Sequence, residues 1–189
     1  MEPRLVRLQL AVGPEGQPTA AREHDATAKE RVGSRLDKLQ SDGVARVLHD
    51  CRIPGTQCNI DHIAVAPSAI WVVDTKCYGG RLVRRDVGGW FGRDERLFIA
   101  GRDRTHLVEA MAGQVDALRD ILAPFTPRVR PVLCCTGTEW PFFANPFELD
   151  GVLVIWPRAL VKQIRTAPGS GIQVHAIAER LTSRLPSAR

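Results

Sequence analysis

The chain has 189 residues, of which 44% are hydrophobic and 25% charged, and its formal net charge is +5. That length suits one domain with short appendages and a sizeable core, and the composition is that of an ordinary globular protein. No apolar run approaches the length of a membrane span. The first residues also lack an apolar signal segment, so a cytoplasmic protein without a membrane partner is expected. Cys51, Cys58, Cys77, Cys134 and Cys135 are odd in number and form no CxxC pair. They read as reduced thiols rather than as a disulfide framework or a zinc ribbon. The basic balance permits nucleic-acid binding without establishing it.

In chain order, Gly13, Pro14, Gly16 and Pro18 break any regular element, which predicts an N-terminal arm over 1–19. A helix is expected over 20–40, with Val32, Leu36 and Leu39 at helical spacing and Asp42-Gly43 closing it. Strands are expected over 44–49, 59–66 and 69–75, the last two joined by Pro67-Ser68, then over 81–87, followed by a Gly-rich turn at Gly88-Gly89 and a short apolar piece over 97–99. A second helix spans 104–122, with Leu107, Met111, Val115 and Leu118 as its apolar stripe. The apolar runs 129–135 and 151–155 read as buried strands. A short helix follows Pro157, a favoured first helical residue, and another covers 174–185. The expected body is therefore an α/β domain with a mixed sheet over 20–165. Residues 166–189 form a C-terminal helix packed on it or extending from it.

The 59–75 hairpin carries the chemistry. Alternate strand residues share a face, so Ile70, Val72, Asp74 and Lys76 point one way, and Asp61, Ile63 and Val65 share a face on the preceding strand. A turn centred between Pro67 and Ser68 pairs 66 with 69, 65 with 70, and 61 with 74. Pro67 disfavours the tight two-residue turn and suits a four-residue loop, but both are even in length and keep this register. Asp61 and Asp74 then lie side by side, with Cβ atoms roughly 5 Å apart. Two carboxylates beside aliphatic neighbours repel each other and resist ionisation. A hard divalent cation offsets that repulsion. Lys76, on the same face, is a second compensating charge that can orient a water or neutralise phosphate oxygens. The competing reading is a set of ordinary salt bridges to Lys76 and His62.

The string Asn59-Ile60-Asp61-His62-Ile63, followed by Asp74-Thr75-Lys76 and Gly79-Gly80, resembles the nuclease-related domain (NERD) family of the PD-(D/E)xK nuclease superfamily. The resemblance covers roughly 25–160, with Ile60 where the superfamily name has proline. It implies a restriction-endonuclease-like mixed sheet flanked by helices, with the site on an antiparallel hairpin. It further implies that Asp61 and Asp74 ligate magnesium, with manganese as the alternative, and that Lys76 assists the attacking water. The backbone carbonyl of Thr75 is a candidate extra ligand. Gln114 matches a glutamine that the family's second helix aims at the site, and it also interrupts the apolar stripe of its own helix. A glutamine bonded to a nearby backbone carbonyl is the plainer alternative. In the first helix the family's glutamate falls at Lys29, and Glu30, one residue on and about 100° around the helix, is the nearest substitute.

Other features read more simply. His62 is expected to pack behind the site. Cys58, His62 and Cys77 match no common zinc spacing. Trp90 and Phe91 read as core or rim aromatics in preference to base-stacking groups. Arg81, Arg84, Arg85, Arg93, Arg96, Arg102 and Arg104 read as a solvated face, or as a backbone-binding rim if the site acts on phosphodiesters. Neither a nucleophile elbow nor a phosphate-binding G-x-x-x-x-G-K-[ST] loop is present. The expectation is magnesium-dependent phosphodiester hydrolysis on DNA, with RNA as the alternative substrate. The competing expectation is a catalytically degenerate nucleic-acid- or partner-binding module. No interface signal fixes the oligomeric state.

Overall fold

The computed structural model describes residues 19–56, 58–89 and 92–188. The arm expected over 1–19 lies, but for its last residue, outside the described residues, as do Trp90 and Phe91.

Helix α1 (Thr19–Ser41) buries Ala28, Val32, Leu36 and Leu39. It ends at Gly43, whose φ of 71° suits a residue without Cβ, while the Val44 N–H turns back to the Leu39 carbonyl. Strands β1 (Arg46–Arg52), β2 (Asn59–Ala66) and β3 (Ala69–Asp86) form an antiparallel meander. The β2–β3 register runs from Ala66↔Ala69 to His62↔Val73, as the sequence predicts. The loop is the tight two-residue turn that Pro67 disfavours. Ser170 braces it, its N–H and hydroxyl donating to the Pro67 and Ser68 carbonyls.

The strands expected over 69–75 and 81–87 are one long β3. Its register with β6 (Val129–Glu139) shifts between Cys77 and Gly80, so Gly79-Gly80 bends the strand instead of ending it. Gly80 has φ 90°, and a Cβ there would lie 2.9 Å from that of Ala100. The far half of β3 pairs with β4 (Glu95–Ile99), which pairs with the two-residue β5 (Arg102–Asp103). The helix expected over 104–122 is divided into α2 (His106–Glu109) and α3 (Met111–Leu122), although Ala110 between them keeps helical dihedrals.

Strand β7 (Phe147–Leu149) turns through Asp150 and Gly151, at φ 48° and 77°, into β8 (Val152–Ile155). Helices α4 (Pro157–Thr166) and α5 (Val174–Arg184) complete the chain. The main path of the sheet is β1-β2-β3-β6-β8-β7, parallel where β3, β6 and β8 meet and antiparallel on either side. Along β3, Ile70 and Val72 pack with Leu118 and Leu122 of α3 and Leu181 of α5. Trp71 and Val73 pack on the other face with Leu36 of α1 and Leu160 of α4. The result is three layers, with the hairpin in the middle one.

Candidate active site

The ladder between β2 and β3 stops at His62↔Val73, and one step further in that register comes Asp61 opposite Asp74. There the strands part, and side chains replace backbone partners. The Thr75 N–H donates to Asp61 Oδ2 at 2.8 Å, so a carboxylate supplies the acceptor that a continuing ladder would have given. Lys29 of α1 reaches the other oxygen, with Nζ 2.7 Å from Asp61 Oδ1. Lys76 lies against Asp74, with Nζ 2.9 Å from Oδ2 and 3.2 Å from Oδ1. Asp61 and Asp74 are only 3% and 6% exposed. One helical turn before Lys29, Asp25 Oδ1 accepts the Cys77 N–H at 3.1 Å. Helix α1 therefore presents Asp25 and Lys29 from the stripe that continues into Val32 and Leu36.

Burial pushes the Asp74 carboxyl up to about 6, Lys76 pulls it down, and the neighbouring Asp61 adds to the rise. Burial also works against the Lys76 cation. Asp74, with Asp61 and Asp25 beyond it, outweighs burial and holds this amine above the ordinary lysine value. Lys76 is accordingly a cation at neutral pH, a donor and counter-charge in place of a base. Burial lowers His62 to about 4, so its imidazole is neutral behind the site. Its Nδ1 lies 2.8 Å from that of His49, whose Nε2 lies 2.8 Å from Asp37 Oδ1. Gly33 of α1 passes close over this pair; a Cβ there would sit 3.3 Å from the His62 ring.

Asp61, Asp74, Thr75 and Lys76 thus come together. Glu30 does not join them: it is exposed, and its carbonyl accepts from the Ser34 hydroxyl. The α1 positions that face the strands are Asp25 and Lys29. Asp25 escapes a reading centred on the family's glutamate, although its place one turn before Lys29 was available as a signal. Gln114 is half-buried on α3, and its Oε1 is buried without a hydrogen-bond partner among the described residues. The Thr75 hydroxyl is likewise buried and unpartnered. Among the described residues no three carboxylate, imidazole or thiol groups converge as a ready ligand set. The donors present are two carboxylates, which suit magnesium, since that ion commonly takes one or two carboxylates and fills its shell with water or phosphate oxygens.

Among the described residues, most of the arginines after the site are engaged within the ribbon, Arg81 and Arg102 excepted. Arg84 and Arg93 pair with Glu95, Arg93 also with Asp86, and Arg96 with Asp94 and Asp103. Arg84, Arg85 and Arg104 lie over Phe147, Phe98 and Tyr78.

A mixed sheet between helices, with two buried aspartates and a lysine where a hairpin opens, defines a restriction-endonuclease-like α/β domain. The nuclease-related domain pattern (NERD) matches residues 24–136, a stretch that includes Asp25, Lys29, Asp61, Asp74, Lys76 and Gln114. The chain belongs to that family. No curated protein and no solved structure matches it. No helix among the described residues is long and apolar enough to cross a membrane.

Proposed function

We propose that the chain hydrolyses DNA phosphodiesters with magnesium, or manganese, held by Asp61 and Asp74. The observation that carries this reading is the buried aspartate pair, in which Asp61 raises the Asp74 carboxyl further above its ordinary value. A bound divalent ion would supply Lewis-acid polarisation of a phosphoryl oxygen and a water of lowered pKa. Lys76, kept cationic by Asp74, orients the attacking water by donating to it and neutralises charge growing on the phosphate. The Thr75 N–H fixes one Asp61 oxygen and so sets the plane of that carboxylate. The Thr75 carbonyl and the buried Gln114 Oε1 are the remaining acceptors offered to ion or water. Free cysteines suit a reducing cytoplasm, the compartment this reading assigns.

A second reading is a binding module that keeps the fold without the chemistry. It is favoured by Lys29, whose ammonium already neutralises Asp61 where the family has a carboxylate. Plasmid nicking with magnesium, on wild type and Asp74→Ala, separates the two. Hydrolysis predicts nicking that falls at least about 10³-fold in the variant. Equal nicking by both proteins sinks the assignment of Asp74, and silence in both favours the binding module.

A further inference from the structure

A cleft of about 530 Å³ opens between α1, the end of β6 and the start of α4. His24, Arg31 and Arg35 line it from α1, Arg158 from α4, and it reaches Cys77, the residue after Lys76. No aspartate or glutamate among the described residues lines it. Among the described residues, Arg31, Arg35 and Arg158 form no ion pair and donate no hydrogen bond, unlike Arg84, Arg93 and Arg96 of the β3–β4 ribbon. Unpaired guanidinium groups around a concave surface concentrate positive potential, and their planar forks match phosphate oxygens. Arg31 and Arg35 stand about 6 Å apart along the helix axis, and Arg158 comes from a separate element. That spread suits an extended polyanion better than a single phosphate.

We propose that this cleft, and not the arginine-rich ribbon, holds the phosphate backbone of a nucleic-acid strand beside the aspartate pair. Arg31, Arg35 and Arg158 engage phosphates on the α1 and α4 face of the sheet. The strand rounds the opened end of the hairpin at Cys77 to bring a phosphodiester further along to Lys76 and Asp74 on the other face. This rests on the hydrolytic reading for its direction, but strand binding is measured separately.

The test is fluorescence anisotropy of a labelled single-stranded DNA in EDTA, as a function of salt. It compares wild type with Arg31→Gln/Arg158→Gln and with the charge-matched Arg93→Gln/Arg119→Gln, all checked for unchanged thermal melting. The cleft variant is expected to bind about tenfold more weakly or worse, with a log–log salt slope shallower by about 0.7 per arginine removed. The control should stay within about twofold of wild type if net charge alone matters little. Equal losses in both variants, no loss in the cleft variant, or no strand binding by wild type would each overturn the proposal. Nicking retained with a cleft-independent affinity leaves the hydrolytic reading standing without the cleft. A cleft-dependent affinity with no nicking does the reverse.

Discussion

At the mouth of the β2–β3 hairpin, Asp61 and Asp74 are buried together and each leans on one lysine. On the β3–β4 ribbon, Asp86, Asp94, Glu95 and Asp103 meet Arg84, Arg93 and Arg96 near the surface, with several partners shared. Both regions pair opposite charges at short range, so pairing alone does not distinguish them. Desolvation does. In the ribbon, water screens each pair and little depends on any one of them. In the hairpin mouth the carboxylates are out of water and repel each other, which leaves Asp74 reluctant to ionise. Under the proposed function, an acidic pair kept in that state receives a divalent cation.

The sharpest contrast is pH dependence. Asp74 is raised from 3.8 to about 6, so the folded state holds an extra proton in that range and stability falls as pH rises through it. His62 is lowered from 6.5 to about 4, so the unfolded state holds the extra proton and stability falls as pH drops through that range. The two trends oppose each other, each worth about 3 kcal/mol. Their sum leaves wild type nearly flat between them. Urea melts from pH 4 to 6.5 should show Asp74→Asn gaining stability with pH relative to wild type, and His62→Gln losing it. Parallel profiles for all three proteins would break the comparison.

Lys29 gives the next effect. Its ammonium competes for Asp61, so Lys29→Ala should raise magnesium affinity about tenfold, measured by calorimetry. An unchanged affinity would mean that the contact does not oppose the ion. The smallest effect belongs to the ribbon. Glu95→Gln removes a partner of Arg84 and Arg93 and should cost less than about 1 kcal/mol in chemical denaturation. A loss of several kcal/mol would show that the ribbon charges are as tightly held as those of the hairpin.

The hairpin was the most legible part of the sequence, because an even loop and strict alternation fix which residues oppose one another. Residues 61 and 74 follow from 66 and 69 without tertiary information. Elsewhere local signals mislead. The break expected between strands 69–75 and 81–87 is only a bend at Gly79-Gly80 within β3, since the pairing with β6 resumes at Gly80. Asp150-Gly151 is a strong tight-hairpin signal between Leu149 and Val152, yet β7 was not expected. The α1 contribution depends on helix rotation, and one residue's turn separates exposed Glu30 from Lys29 on Asp61. The ribbon's pairing depends on the β3–β4 register, which sets Arg84 and Asp86 beside Glu95. Charge spacing along the chain carries neither fact.

The central claim, that Asp61 and Asp74 form a receptor for a divalent cation, is tested most directly by calorimetric titration of magnesium into wild type and Asp74→Ala. The account predicts one binding event in wild type that is lost in the variant. Equal binding by both proteins, or none by wild type even after Lys29→Ala, would contradict it.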